Sequence, residues 1–184
     1  MTSPTEPATS PAGAPRRVDA IDWSAWTPVD RATLTFVRRQ SAADPAREDV
    51  LLITKKRGLG AGKINAPGGR LEGDETPAGC AVREVEEEVG VTPLGVEERG
   101  RLRFQFVDGY SLDCHVFQAF DHRGEPRETD EAIPQWTPID AIPFDRMWAD
   151  DHLWLPALLA GRRVDGCFIF DGDTMLDHAL TLED

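Results

Sequence analysis

Between residues 77 and 89, Ala78, Ala81, Val82, Val85 and Val89 recur at helical spacing and share one arc, while glutamates occupy the other. The pattern predicts an amphipathic helix docked on a core. Thr76 is placed as N-cap, Pro77 at the first helical position, and Gly90 where a left-handed C-terminal residue is favoured. Elsewhere the period falls to two. Residues 31–39, 100–107 and 110–120 alternate apolar with polar positions, residues 50–54 form a more apolar run, and residues 132–137, 164–170 and 174–182 read as further strands. Pairing of 31–39 with 50–54 as a hairpin across the polar loop 41–49 is expected. Asp108-Gly109 is a hairpin signal, and Asp171-Gly172-Asp173 turns the last two strands. A short turn or helix start is expected at 142–147, and a second helix at 150–159 carries Leu153, Leu155, Leu158 and Leu159. Together these elements predict an α+β fold, a mixed β-sheet sandwiched between α-helices.

Residues 1–17 are rich in Pro, Ala, Ser and Thr and nearly devoid of large apolar side chains, which predicts a disordered tail ahead of a single domain at 18–184. Trp23 and Trp26 would anchor the chain's entry onto that domain, or mark an edge strand. No stretch holds the roughly 18 consecutive apolar residues of a membrane span, and the N-terminus lacks an apolar signal segment, so a cytoplasmic location is expected. Cys80, Cys114 and Cys167 are odd in number and scattered, which fits reduced thiols rather than a disulfide framework or a zinc site.

With 33 acidic against 20 basic residues and a formal net charge of −13, the overall field repels a nucleic-acid backbone. No polymer, membrane or obligate protein partner is expected. A small polyphosphate accompanied by Mg²⁺ needs only local neutralisation, and Lys55, Lys56, Arg57 and Lys63 crowd together just before a glycine loop.

The candidate chemistry lies on the first helix. Glu84, Glu87 and Glu88, spaced i, i+3 and i+4, fall within about a third of its circumference and repel one another. Such a face is tolerated either fully solvated or with a divalent cation among the carboxylates. Upstream, Pro67-Gly68-Gly69-Arg70 is a side-chain-poor loop whose amides and carbonyls can approach a metal or a phosphate. From Gly69 the order is glycine, five residues, Glu75, seven residues, then Arg83-Glu84-Val85-Glu86-Glu87-Glu88-Val89-Gly90-Val91. This fills all nine fixed places of the Nudix box, and the chain accordingly resembles the Nudix hydrolases.

The resemblance extends beyond the box. KKRGLGAGK-N, GGRLEGDET, DCHVF, ETDE, PQW, IPFDRMWADDHLWLP and FIFDGDT, in that order, are similar to the vertebrate-type oxidised-purine nucleoside triphosphate diphosphatases, most distinctively at Trp148, Asp150, Asp151 and Trp154. That resemblance implies a Nudix fold and hydrolysis of purine nucleoside triphosphates such as 8-oxo-dGTP or 2-hydroxy-dATP to monophosphate and pyrophosphate, which cleans the nucleotide pool. It implies Mg²⁺, with Mn²⁺ as a substitute, held by Glu84, Glu87, Glu88 and a carbonyl of Gly68 or Gly69. Glu131 would be a further ligand or the base, Glu84 being the other candidate for the base; Arg83 would orient the glutamates and Glu75 the loop. Asn65, Asp150, Asp151 and Trp148 would bound the purine, and Lys55 would contact phosphate. Phe104, on one strand face with Phe106, would line a pocket or the core.

Two neighbouring carboxylates in an apolar pocket do not both ionise readily, so one would keep its proton and donate while the other accepts. Capping of the second helix is the competing reading of Asp150 and Asp151. Leu59 and Ile64 depart from the family pattern, which has an aromatic residue and a Trp there, and they reduce the stacking surface expected near the base. Three other functions stay open on sequence alone. One is a Nudix pyrophosphatase for ADP-ribose or a dinucleoside polyphosphate. Another is a nucleotide-sensing module, against which the intact glutamates argue. The last is an acidic helix facing a basic partner, which leaves the glycine loop unexplained.

Overall fold

In chain order the elements are β1 (Asp30–Gln40), β2 (Glu48–Lys55), β3 (Ile64–Asn65), α1 (Pro77–Val89), β4 (Thr92–Leu94), β5 (Glu97–Phe106), β6 (Ser111–Ala119), β7 (Asp121–Arg123), β8 (Ala132–Pro138), α2 (Asp151–Leu159), β9 (Arg163–Asp171) and β10 (Thr174–Glu183). The computed structural model describes residues 14–184, so most of the tail expected at 1–17 lies outside the described residues.

Strand β1 changes partner along its length. From Asp30 to Val37 it runs parallel to β6, and from Arg38 to Gln40 it pairs antiparallel with β2. The expected hairpin therefore forms only through its last three residue pairs. The longer partner of β2 is β8, antiparallel from Asp49 to Lys55. The main sheet has the order β10-β9-β5-β6-β1-β2-β3, with β8 added on β2; β1–β6 and β5–β9 are parallel and the remaining pairs antiparallel, so the sheet is mixed.

Adjacent residues of β1 point to opposite faces, and each face receives one helix. Val37, with Leu51 and Ile53 of β2, packs against Val85 and Val89 of α1. Phe36, with Val50 and Leu52, packs against Trp154, Leu155 and Leu158 of α2. Each fully buried side chain of this size contributes about 1.5–3 kcal/mol relative to exposure. The start of α1 is fixed by the Thr76 hydroxyl, which accepts from the Gly79 N–H at 3.1 Å, and its end by Gly90 at φ 74°.

At the chain entry no strand forms; Val18–Ala20 is a 3-10 helix instead. The Val18 N–H donates to Asp177 at 2.9 Å and the Trp26 indole to Gln105 at 3.0 Å, so this segment is anchored as expected. Phe144–Arg146 forms a second 3-10 turn ahead of α2. The three cysteines are free. Among the described residues no helix is long and apolar enough to cross a membrane.

Candidate active site

The glycine loop is tied to the edge of β1. The Thr33 and Thr35 N–H groups donate to the carbonyls of Gly69 and Pro67 at 2.9 and 2.8 Å, and the Leu71 N–H donates to the Arg31 carbonyl at 2.9 Å. The approach leaves no room for a side chain. A Cβ on Gly68 would lie 2.0 Å from the Thr33 carbonyl oxygen, and one on Gly69 would lie 2.4 Å from the Glu84 carboxyl. The loop is thereby wedged between β1 and the acidic face of α1.

Glu84 and Glu88 close on this loop. Glu88 is buried; its carboxylate accepts the Gly68 N–H at 2.9 Å and has Lys55 Nζ at 3.6 Å. Burial pushes Glu88 up to about 7, against the opposing pull of Lys55 and the Gly68 amide. Glu84 is raised as well, again by burial, with Arg83 opposing. Glu87 is not brought in: it is 59% exposed and turned to Arg83 at 3.0 Å.

Arg83 ties the acids together, donating to both oxygens of Glu75 at 2.9 Å, to Glu84 at 2.8 Å and to the Arg70 carbonyl at 3.1 Å. That contact holds Glu75 down at about 2, and Glu75 also accepts the Glu72 N–H at 3.2 Å across the loop. Glu131 arrives from the segment before β8 and is engaged by the Arg57 guanidinium. Lys56 turns away to Glu128 at 2.6 Å.

Among the described residues no three acidic, His or Cys side chains already stand close enough to hold an ion. The donor chemistry nonetheless suits a hard divalent cation. Every candidate ligand is an oxygen, and Glu88 is a buried carboxylate with Lys55 Nζ at 3.6 Å and the Gly68 N–H at 2.9 Å to offset its charge.

These groups form one end of a cavity of about 790 Å³. The other end is aromatic, walled by Phe104, Phe106, Phe170 and Trp148, with Asn65, Asp150 and Asp151 as polar groups. Phe104 thus lines the pocket, backed by Phe168 in a stacked pair at 5.3 Å. Asp150 and Asp151 are each 2% exposed. Neither behaves as a simple helix cap. Asp150 makes no capping bond; its Oδ2 accepts the Trp154 indole N–H at 2.9 Å, and its Oδ1 is buried with no partner among the described residues. Asp151 accepts the Trp148 backbone N–H at 2.9 Å. Burial pushes Asp150 up to about 6, and Asp151 well above the ordinary carboxylate range, with the Asp150 charge adding to the rise. The pair therefore retains a proton where isolated aspartates would have lost theirs.

Some placements depart from expectation. Leu59 lines the cavity, but Ile64 is fully buried in the core beneath it, so a residue there adds to packing rather than to a stacking surface. Lys63 lies at the aromatic end, over Trp148, rather than with Lys55. Tyr110 was not singled out by sequence, and Arg70 only for the backbone of its loop, yet both line the cavity, bonded to Asp30 at 3.0 and 3.2 Å. Nothing local connects those three positions; Phe170, by contrast, shares the period-two face of Phe168 and could have been found.

Residues 28–158 match the NUDIX domain family. The chain belongs to this family. The NUDIX chain is 47% identical over 133 residues to the oxidized purine nucleoside triphosphate hydrolase of Danio rerio, covering 71% of this chain and 85% of that protein. It is 44% identical over 85 residues to the 8-oxo-dGTP diphosphatase of Escherichia coli, covering 46% and 65%. Among solved structures, the MutT protein from Bacillus halodurans superimposes with a TM-score of 0.70 at 26% identity, covering 83% of this chain and 97% of that one. The mixed sheet with a helix on each face is the α+β NUDIX architecture that the box implied.

Proposed function

We propose that this NUDIX enzyme hydrolyses oxidised purine nucleoside triphosphates, such as 8-oxo-dGTP or 2-hydroxy-dATP, to the monophosphate and pyrophosphate. One observation carries the reading: a single cavity joins a buried aspartate pair among aromatic rings to a glycine loop beside a buried glutamate. A base fits the first end and a triphosphate the second. The names of the relatives support the same substrate class. A cytoplasmic setting, where free nucleotides are met, and one folded unit over 18–184 belong to this proposal.

At the base end, Trp148 stacks on the purine with Phe104 as part of the wall, while Asn65, Asp150 and Asp151 read its edge. With one proton between them, the aspartates donate at one oxygen and accept at another, which suits a purine whose oxidation has altered its donor and acceptor pattern. At the other end Lys55 neutralises phosphate. Glu84 and Glu88, with the Gly68 carbonyl, would hold a divalent cation, which we take to be Mg²⁺ with Mn²⁺ as a substitute; the Gly69 carbonyl accepts the Thr33 N–H with one of its two lone pairs. Glu87 and Glu131 complete the acidic set, each paired with an arginine at rest. When bound, the ion neutralises the triphosphate and makes the attacking water more acidic. Glu84 or Glu131 takes the proton of that water, and Arg83 keeps the glutamates aligned.

The test is to incubate the protein and Mg²⁺ with oxidised and normal triphosphates, ADP-ribose and a dinucleoside polyphosphate, and to separate the products by chromatography. Preferred release of an oxidised monophosphate with pyrophosphate is expected. Faster turnover of ADP-ribose or of the dinucleotide would overturn the reading.

A further inference from the structure

Lys63 stands apart from the other basic residues of its segment. Its Nζ is 2.9 Å from an Asp173 carboxylate oxygen and 4.9 Å from the centroid of the Trp148 ring. The glycine turn that carries Lys63 meets the same indole: a Cβ on Gly60, at φ 77°, would come 2.9 Å from Trp148 Nε1. Phe106 and Phe170 meet Trp148 edge-on, with centroids 6.3 and 5.7 Å away and planes at 76° and 89°. The indole is thus confined by two rings, an ammonium and a glycine backbone. Asp173 and Leu59 both line the cavity, so the Lys63–Asp173 pair joins two segments of its rim, the glycine turn and the β9–β10 turn.

We propose that Lys63 is a positioning residue for base recognition: held by Asp173, its ammonium fixes the Trp148 indole against which the base stacks. The proposal rests on the base pocket described above. An ammonium over an indole is attracted by the negative ring face, more strongly when partly desolvated, and the Lys63 side chain is only 24% exposed. Asp173 is 71% exposed, so its ion pair adds little stability and serves instead to aim the ammonium. The Lys63 charge also reaches the buried pair, where it partly offsets the effect of burial on Asp151.

The experiment measures binding of the product 8-oxo-dGMP by calorimetry without divalent cation, and KM and kcat for 8-oxo-dGTP with Mg²⁺. Lys63→Met keeps the apolar stem and removes the charge. It is expected to weaken 8-oxo-dGMP binding and raise KM about 5- to 10-fold, with kcat within about twofold, whereas Lys63→Arg restores both to within about twofold of wild type. Adding Lys63→Met to Trp148→Ala is expected to cause no further loss, because Lys63 acts through the indole. Wild-type-like binding by Lys63→Met, or the same loss with and without Trp148, would overturn the positioning role. Wild-type-like binding by Trp148→Ala would overturn the base pocket and the clamp together, which separates that failure from a failure of Lys63 alone.

Discussion

Asp150 accepts the Trp154 indole N–H at 2.9 Å through Oδ2 and keeps Oδ1 buried with no partner among the described residues. A buried acceptor left unpaired costs about 1–3 kcal/mol, which a ligand that satisfies it can recover. Asp150→Asn leaves an oxygen for Trp154 but replaces the unpartnered oxygen with a fixed NH₂ donor. We expect kcat/KM for 8-oxo-dGTP to fall roughly 10- to 100-fold, with a smaller change for other purine triphosphates and an unaltered Mg²⁺ requirement. Equal losses on every nucleotide would show that Asp150 only supports α2.

The aspartate pair also sets a pH dependence. Asp150 and Asp151 hold protons more tightly in the folded chain than in the unfolded one, where the value is near 3.8. Their contribution to stability is therefore complete below about 3.8 and is lost as pH rises through about 6 and beyond, where the folded state must accept buried charge. Asp151→Asn removes one of the two charges. The melting temperature of the wild type should fall more steeply than that of the variant between about pH 5 and about pH 8, and parallel profiles would contradict the shared proton.

Neighbouring glycines of the loop should fail differently. Gly68→Ala drives a methyl into the Thr33 carbonyl, a backbone atom that cannot yield, so a large loss of melting temperature is expected. In Gly69→Ala the atoms nearest the new methyl belong to the Glu84 carboxyl, the end of a side chain that can swing aside. That variant should stay folded and lose turnover by about 100-fold or more, because its carboxylate is displaced. Thermal melting and kcat on the same two preparations distinguish the cases; a fully active Gly69→Ala would exclude Glu84 from the site.

Local chemistry made α1 legible: Thr76, Pro77 and Gly90 fix its ends, and Val85 and Val89 of its apolar arc meet Val37 and Leu51, although Ala78 at the first turn is exposed and Cys80 and Glu88 are buried beside the arc. Strands long enough to show a two-residue period were legible too. Strands β3, β4 and β7 were not, since two or three residues carry no period. Sequence proximity misled at 31–39 and 50–54, where parallel pairing to β6 and antiparallel pairing to β8 take most of the ladder. Such long-range partners leave no local trace. In the site, box residues were visible because their spacing is helical, whereas the pairing of Arg57 with Glu131 and of Lys63 with Asp173 depends on how separate loops meet. Ile64 read as a pocket residue because it precedes Asn65; alternation along β3 sends the two side chains to opposite sides.

Glu88→Gln keeps the shape of the buried side chain and an acceptor for the Gly68 N–H, while it removes the charge that a divalent cation requires. Because burial already disfavours that charge, the variant should melt no lower than the wild type without metal. The decisive measurement is its rate of 8-oxo-dGTP hydrolysis at saturating Mg²⁺ beside the wild type. A drop of about 1,000-fold or more, on the order of 4 kcal/mol, with folding intact is predicted. Turnover close to that of the wild type would contradict the assignment of Glu88 to the metal and, with it, the account of this site.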